Sequence, residues 1–154
     1  MQGHVSILSV SPEAAAMIAS GGRIYTMDGK ADEIYANSLS AGQEKNEKLI
    51  GKVLSSGHTS VLEHCYVNLS FENVSVLAEQ FLIEFRLASF TVKSRRYVDF
   101  SNCGWVTPFA DAARSAIYDE EVRRLFGVYD ALCAAGVPKE DARFVLPYGF
   151  HSNF

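Results

Sequence analysis

The stretch EFRLASFTVKSRRY, residues 84–97, concentrates side chains that could bind an anion. It contains Arg86, Arg95 and Arg96 beside serine and threonine hydroxyls, in a chain whose formal net charge is −4. Guanidinium groups can bind phosphate through two parallel hydrogen bonds, and hydroxyl groups add further hydrogen bonds. Arginine is also common on protein surfaces, so a solvated cluster is the alternative. The mixture of cations with hydroxyls indicates a local site for a phosphate-bearing molecule.

The composition is typical of a globular chain. Of its 154 residues, 48% are hydrophobic and 21% charged, so we predict a single domain over residues 1–154 with a substantial core. The net negative charge disfavours nucleic-acid binding, which requires a basic surface. The sequence contains no apolar run of the roughly 18–20 residues that span a bilayer, so we expect no membrane contact and a cytoplasmic location.

The segment GHTSVLEH, residues 57–64, holds polar groups that could ligate a metal, namely His58, Glu63 and His64. Glu63 and His64 are adjacent and would point to opposite faces of a strand, and the segment has no helical His-x-x-x-His pair. The three cysteines of the chain are odd in number and widely spaced, which argues against a disulfide framework and a zinc motif. We therefore predict no metal site, and interpret these residues as polar groups at a site entrance or as capping groups.

The N-terminal third is predicted to form two helices. Ser11-Pro12-Glu13 is typical of a helix start, with proline at the first helical position, and Gly21-Gly22 would end the helix. A second helix should follow Ser40, which could form a capping box with Gln43, and Gly57 should cap its end. Its apolar residues are Leu49, Ile50, Val53 and Leu54.

The middle of the chain changes from strand periodicity to helix periodicity. Apolar and polar residues alternate over residues 65–72, which predicts a strand. Over residues 74–85 the apolar residues recur every three or four positions, as on one face of a helix. The residues of that predicted inward face are Val74, Leu77, Ala78, Phe81, Leu82 and Phe85.

The C-terminal third is predicted to be mainly helical. Residues 102–108 should be irregular, and a long helix should occupy residues 111–135, with Gly136 as its cap. Pro138 should start a short helix that ends at Val145. The inward residues of the long helix are Val122, Leu125, Phe126, Tyr129, Leu132 and Cys133. Helices together with a strand predict an α+β fold class.

Three segments occur in an order that resembles a known family. They are GHTSVLEH at residues 57–64, FRLASFTVKSRRY at residues 85–97 and GVPKEDARFVLP at residues 136–147. They are similar to motifs of the flavin-dependent thymidylate synthases, also called thymidylate synthase complementing proteins, whose signature is Arg-His-Arg, then Ser, then Arg-Tyr. Arg86 matches the last arginine of the triplet, and residues 87–93 separate it from Ser94.

The resemblance implies a fold with helices packed on a mainly antiparallel sheet and a homotetrameric assembly. It also implies a reaction in which FAD, reduced by NADPH, helps to transfer a one-carbon unit from methylenetetrahydrofolate to carbon 5 of dUMP, giving dTMP. These enzymes use no cysteine nucleophile, which agrees with three cysteines that show no catalytic setting.

The resemblance also assigns site residues. Ser94, Arg96 and Arg143 match the nucleotide-binding positions, so we expect them to converge on one anion-binding pocket. The cofactor-binding positions are matched by His58, Ser60, Glu63 and Arg86.

The departures from the family pattern fall mainly on the cofactor side. Glu84 and Phe85 stand where the family has Arg and His, so an anion replaces a cation and a phenyl ring replaces an imidazole. Phe81, Val92 and Tyr25 replace further polar positions. We therefore predict weak binding of FAD, with Phe85 packed in the core rather than against a cofactor.

Three hypotheses remain open from the sequence. The chain is an active flavin-dependent thymidylate synthase, a non-catalytic paralogue that retains a nucleotide-binding fold, or a subunit that completes its site with a partner chain. We also expect the chain to lack the family's C-terminal segment, in which an Asn-Ala-Arg sequence supplies another nucleotide-binding arginine.

Overall fold

The computed structural model describes residues 3–154, whose contacts group them into two compact units. The N-terminal unit is Ile7–Leu69, and the C-terminal unit is Ser70–Phe154 together with the N-terminal residues up to Ser6. Each unit is described separately below. The expectation of one domain over the whole chain stays a prediction.

The described residues form six α-helices and two short 3₁₀ helices. The α-helices are α1 (Ala14–Ile24), α2 (Ala31–Ala41), α3 (Gln43–Ser55), α4 (Val76–Leu82), α5 (Ala112–Ala134) and α6 (Lys139–Ala142). The 3₁₀ helices are Thr59–His64 and Arg143–Val145. No helix within residues 3–154 is both long and apolar enough to cross a membrane.

Within residues 3–154, four strands form two small sheets. The strands are β1 (His4–Val10), β2 (Val67–Glu72), β3 (Val74–Ser75) and β4 (His151–Ser152). β1 pairs with β2, and β3 pairs antiparallel with β4 so that Val74 lies opposite Ser152. An isolated antiparallel bridge joins Trp105 to Phe150. Helices combined with small sheets confirm the α+β prediction.

In the N-terminal unit, α1 packs on α2, α3 and the first 3₁₀ helix. The prediction that Gly21-Gly22 ends α1 was wrong, because the helix begins at Ala14 and continues to Ile24. A Cβ atom on Gly21 would lie 2.7 Å from the His64 ring, and one on Gly22 would lie 3.1 Å from Val53. The two glycines therefore allow close packing of helices rather than terminating one.

The capping box predicted at Ser40 was also wrong. Ser40 belongs to α2, a helix that the sequence analysis missed, and its hydroxyl donates to the Ala36 carbonyl. α3 begins after Gly42, which has φ 80° and no side chain to cap the helix. The predicted end was confirmed, since Gly57 has φ 85° and its N–H donates to Leu54.

A buried polar network links α1, α2 and α3. One guanidinium nitrogen of Arg23 donates to Ser38 Oγ at 2.6 Å and to Asn46 Oδ1 at 2.8 Å. Asn46 Nδ2 donates in turn to the Ser38 carbonyl at 2.8 Å. Ser38 and Asn46 are buried, so these bonds satisfy polar groups that water does not reach.

The core of the C-terminal unit forms around α5. Asp111 caps this helix by accepting from the Arg114 N–H at 2.9 Å, and Gly136 follows its end with φ 85°. The long-helix prediction was confirmed, including its inward face: Val122, Phe126 and Tyr129 are buried. They pack in one cluster with Val76, Phe100, Ala142 and Phe150. The short helix after Pro138 was also confirmed, as α6 and the second 3₁₀ helix.

Residues 102–108 are irregular, as predicted, and hydrogen bonds attach them to α5. Trp105 Nε1 donates to Asp119 at 2.8 Å, and Thr107 Oγ1 donates to the same carboxyl oxygen at 2.5 Å. These hydrogen bonds, that from Thr107 first, lower the pKa of the Asp119 carboxyl. Because the pKa is lowered in the folded chain, these hydrogen bonds stabilise the fold at pH values above the ordinary carboxyl pKa. That stabilisation is lost as the pH falls and the carboxyl group becomes protonated.

The predicted inward face of α4 was wrong. The helix begins at Val76, where Ser75 caps it by accepting from the Ala78 N–H, and its buried residues are Val76 and Glu79. Leu77, Phe81 and Phe85 are exposed instead. Hydrophobic periodicity predicts that the apolar residues of a helix face the core. In α4 the carboxylate of Glu79 takes a buried position instead, because Arg95 and Ser152 donate hydrogen bonds to it.

Candidate functional site

Arg96 and Arg143 meet at one residue although they are distant in sequence. Arg96 Nε forms an ion pair with the Glu140 carboxylate at 2.6 Å, and Arg143 Nε donates to the Glu140 carbonyl at 2.9 Å. Ser94 lies in a turn in which its hydroxyl accepts from the Arg96 N–H at 3.3 Å. The structure thus brings the three residues into one region of the C-terminal unit. Their role in nucleotide binding stays a prediction.

A cavity of about 310 Å³ in the same unit is lined by two arginines. Its lining residues are Val76, Gln80, Arg95, Arg143, Phe144, Leu146, Tyr148 and Phe150. Arg143 is therefore a cavity residue, whereas Ser94 and Arg96 lie outside the lining. Arg95 belongs to the arginine cluster of residues 84–97 but is not among the predicted site residues. Its buried partner is what distinguishes it, and a single sequence does not reveal that partner.

Arg95 is held by a buried carboxylate. Glu79 is 1% exposed and accepts hydrogen bonds from the Arg95 guanidinium and the Ser152 hydroxyl. Gln80 Nε2 donates to its other oxygen at 3.0 Å. The Arg95 guanidinium also lies over the Phe150 ring, 5.6 Å from its centroid. The charge of Arg95 is thus compensated by Glu79 inside the protein, and the main role of Arg95 is structural.

Arg143 is the cavity cation available to an external anion. Its Nε bonds a neutral carbonyl, and its guanidinium lies 5.8 Å from the centroid of the exposed Phe144 ring. Among the ion pairs within residues 3–154, none joins Arg143 to a carboxylate. A guanidinium with an uncompensated charge at a cavity wall favours binding of phosphate or carboxylate.

The cofactor-side residues are divided between the two units. His58, Ser60 and Glu63 are exposed in the N-terminal unit, at and within the first 3₁₀ helix, whereas Arg86 is exposed in the C-terminal unit. The His58 ring stacks on the Tyr25 ring with centroids 5.8 Å apart and planes 30° apart.

A mostly apolar cavity of about 330 Å³ lies beside that stacked pair. Its lining residues are Gly22, Tyr25, Thr26, Lys52, Val53, Ser56 and His58. Ser60 and Glu63 lie outside the lining. The aromatic pair and the apolar wall offer a surface on which a flat ring could stack.

These side chains fit a flavin in part. The ring pair of the N-terminal unit suits an aromatic ring, and the exposed Arg86 of the C-terminal unit suits a phosphate. Glu84 and Phe85 are also exposed, and they present a negative charge and a ring without hydrogen-bond donors. Our interpretation of Phe85 as a core residue was wrong, because its side chain is 66% exposed.

Metal and thiol chemistry receive no support from the described residues. No three His, Cys, Asp or Glu side chains within residues 3–154 are grouped as metal ligands. Cys65, Cys103 and Cys133 are half-buried free thiols. Burial raises the pKa of the Cys103 thiol, which keeps it protonated and weakly nucleophilic near neutral pH.

The family is established by sequence comparison. Residues 6–154 match the family model described as thymidylate synthase complementing protein, and the chain belongs to this family. It is 34% identical over 148 residues to the flavin-dependent thymidylate synthase of Geobacter sulfurreducens, covering 93% of this chain and 62% of that protein. The enzyme of the same name from Nitratidesulfovibrio vulgaris is 31% identical over 157 residues, covering 94% of this chain and 64% of that protein.

The fold agrees with that assignment. The structure is similar to the crystal structure of a UMP/dUMP methylase, PolB from Streptomyces cacaoi, bound with 5-Br dUMP. The TM-score is 0.73 at 19% sequence identity, and the match covers 99% of this chain and 70% of that one. The chain spans 62% and 64% of the two curated relatives named above.

We expect the buried Glu79 pair to contribute far more to stability than the exposed Glu140 pair. Glu79→Gln removes one charge and leaves Arg95 without compensation, which should lower the free energy of unfolding by about 3 kcal/mol. Glu140→Gln makes the same chemical change at a solvated pair and should cost at most about 1 kcal/mol. Urea unfolding followed by circular dichroism measures both, and equal losses would contradict the assignment.

Proposed function

We propose that the C-terminal unit binds a pyrimidine nucleotide at the cavity lined by Arg143, and that the chain serves the family's reaction, the methylation of dUMP to dTMP. The observation that carries the proposal is the guanidinium of Arg143, which forms no ion pair within residues 3–154 and lies at the wall of a cavity of about 310 Å³. The family match over residues 6–154 supports the choice of nucleotide. The name of PolB, a UMP/dUMP methylase, agrees with a uridine nucleotide as the ligand.

The cavity offers groups for the phosphate and for the base of a nucleotide. Arg143 would bind the phosphate, and the exposed rings of Phe144 and Tyr148 offer faces on which a base can stack. The Gln80 amide both donates and accepts, as the edge of a uracil base does. Arg96 would join the site if the phosphate replaced the Glu140 carboxylate as its partner, which exchanges one oxyanion for another.

The remaining reactants of the proposed reaction are methylenetetrahydrofolate, FAD and NADPH. FAD, when bound and reduced by NADPH, would supply the reducing equivalents that turn the transferred one-carbon unit into a methyl group. The N-terminal unit would offer it the His58 ring and the hydrogen-bonding groups of Ser60 and Glu63, and the C-terminal unit would offer the cation of Arg86. We place this activity in the cytoplasm.

A second candidate function is a non-catalytic paralogue or partner subunit that keeps the nucleotide site. The observation that favours it is the exposed pair Glu84 and Phe85, because a carboxylate near an anionic cofactor repels it. Both functions share the nucleotide site and differ in flavin affinity. Nucleotide binding and flavin binding are therefore tested separately.

Replacing Arg143 should weaken dUMP binding through the phosphate. Hydrogen bonds to a charged group contribute about 1.5–3 kcal/mol, so Arg143→Gln should raise the Kd for dUMP by roughly tenfold to a hundredfold. Isothermal titration calorimetry measures the effect. Arg124→Gln, on the exposed face of α5, is the matched control. Deoxyuridine lacks the phosphate and should bind the wild-type and Arg143→Gln chains alike; unchanged dUMP affinity in Arg143→Gln would refute the site.

The natural chain should bind FAD weakly because of residues 84 and 85. The double variant Glu84→Arg, Phe85→His restores a cation and a hydrogen-bonding ring, and should tighten FAD binding at least tenfold, since close charge pairs are worth about 1.5–7 kcal/mol. Flavin fluorescence during titration reports the affinity. Glu120→Arg makes the same charge change at an exposed position of α5 and controls for net charge. Sub-micromolar affinity of the natural chain, or no gain in the double variant, would contradict the prediction.

We also propose that the chain assembles as a homotetramer. Support comes from β1, whose apolar side chains Val5, Ile7, Leu8 and Val10 are all exposed, Ile7 and Leu8 by about two thirds. Apolar surface of this kind is typical of an interface. Light scattering should give the mass of a tetramer, and Ile7→Lys should reduce it, whereas Ile117→Lys on α5 should not. A monomer at micromolar concentration would overturn the proposal.

A further inference from the structure

Glu140 contacts both arginines of the proposed nucleotide site. Its carboxylate accepts from Arg96 Nε at 2.6 Å, and its carbonyl accepts from Arg143 Nε at 2.9 Å. Within residues 3–154, Glu140 is the sole hydrogen-bonding partner of either guanidinium group. The Glu140 carboxylate therefore makes the contact with Arg96 that an external phosphate would need.

The ion pair between Arg96 and Glu140 is exposed to solvent. The side chain of Arg96 is 60% exposed, and that of Glu140 is 42% exposed. Exposed ion pairs contribute little to stability, because water solvates both charges when they separate. The neighbouring Arg95 differs in this respect, since its partner Glu79 is 1% exposed. The Glu140 carboxylate can thus leave Arg96 without leaving a buried charge behind.

The position of α6 does not depend on this ion pair. Ala142 of α6 is buried in the cluster around α5, which attaches the short helix to the core. Lys139 Nζ donates to the Tyr97 carbonyl at 3.4 Å, so a second contact connects α6 with the segment that carries Arg96. A rotation of the Glu140 side chain alone therefore frees the guanidinium of Arg96.

A phosphate can take the place of the carboxylate with a gain in charge. A phosphate monoester carries about −1.5 to −2 charges at pH 7 and three acceptor oxygens, whereas a carboxylate carries a single charge. Guanidinium binds both groups through parallel hydrogen bonds, and phosphate keeps oxygens free for a second cation such as Arg143. The carboxylate has the advantage of being tethered, which gives it a high effective concentration at Arg96.

We propose that Glu140 is a tethered competitor of the phosphate: its carboxylate and the phosphate compete for Arg96, and the competition lowers the affinity of the site for a nucleotide. The inference rests on the proposed nucleotide site and assigns to that site a residue that opposes binding. As a consequence, the site releases its nucleotide more readily than its arginines alone would.

Removing the competitor should tighten the binding of dUMP. Glu140→Gln keeps the shape of the side chain without its charge and should lower the Kd roughly twofold to fivefold, as expected from the loss of an exposed ion pair. Glu121→Gln is the matched control, because Glu121 forms an ion pair of the same kind with Arg124 at 2.8 Å on α5. It makes the same change in net charge and should leave the Kd unchanged in isothermal titration calorimetry.

A double-mutant cycle distinguishes competition for Arg96 from simple repulsion of the phosphate by Glu140. In a chain that carries Arg96→Gln, the further change Glu140→Gln should leave the Kd for dUMP unchanged, because no guanidinium remains to compete for. An equal gain in affinity with and without Arg96 would indicate repulsion and overturn the proposal.

Arginine side chains labelled with ¹⁵N report the exchange of partners in the natural chain. dUMP should shift the Arg96 Nε–H signal, which is assigned by its loss in Arg96→Gln, whereas deoxyuridine lacks the phosphate and should not. This measurement decides the question if Glu140→Gln fails to fold. An Arg96 signal that does not move at saturating dUMP would overturn the proposal.

The competitor and the nucleotide site can fail separately. If Glu140→Gln leaves the Kd for dUMP unchanged while Arg143→Gln raises it, the competitor is refuted and the nucleotide site stands. If neither the natural chain nor Glu140→Gln binds dUMP, the nucleotide site is refuted, and the competitor with it.

Discussion

The arrangement of the C-terminal unit depends on one buried carboxylate. Glu79 on α4 accepts hydrogen bonds from Arg95 in the loop after that helix and from Ser152 on β4. A carboxylate that is 1% exposed is costly without such partners, because water can no longer solvate its charge. The three segments must therefore come together whenever the unit folds, which specifies their arrangement even if the net contribution to stability is modest.

The anion-binding candidates follow from this constraint. With Arg95 tied to Glu79 and placed over Phe150, the neighbouring Arg96 points away and reaches Glu140 on α6. Arg143, one turn after Glu140, then lies at the wall of the cavity and has no ion-pair partner among the described residues. Two adjacent arginines in the sequence thus have different tasks: one compensates a buried charge, and the other lies at the surface near the proposed nucleotide site.

The sequence predicted the parts of the fold in which periodicity and burial agree. α5 has an acidic cap and apolar residues on one face, and its inward residues Val122, Phe126 and Tyr129 were predicted correctly. α4 was misjudged because its buried position is the carboxylate of Glu79, which hydrophobic patterning places outside. Gly21-Gly22 was wrongly predicted to end α1. Glycine is favoured both at helix ends and where a helix packs closely on a neighbour, and these two glycines serve the second purpose. Such cases are decided by partners distant in sequence.

The candidate site, like the fold, could be predicted from the sequence only where a local motif identifies the residue. Arg143 could be selected from its motif, whereas the pairing of Arg95 with Glu79 and of Glu79 with Ser152 depends on contacts between distant segments. No spacing within one segment encodes them. The predicted residues of the N-terminal unit, His58, Ser60 and Glu63, are exposed as a ligand would require, and His58 also borders the cavity of about 330 Å³.

Because Glu84 and Phe85 are exposed, replacing them should change flavin affinity without changing the stability of the fold. In a core, exchanging phenyl for imidazole would bury a polar ring and change stability as well as function. Phe85 is 66% exposed and follows the end of α4 at Leu82, so neither packing nor helix formation depends on it in this chain. A change in flavin affinity at these positions therefore reports the charge and hydrogen bonding of the side chains themselves. Residues that depart most from the family pattern can thus be restored without disturbing the buried Glu79 network on which the unit depends.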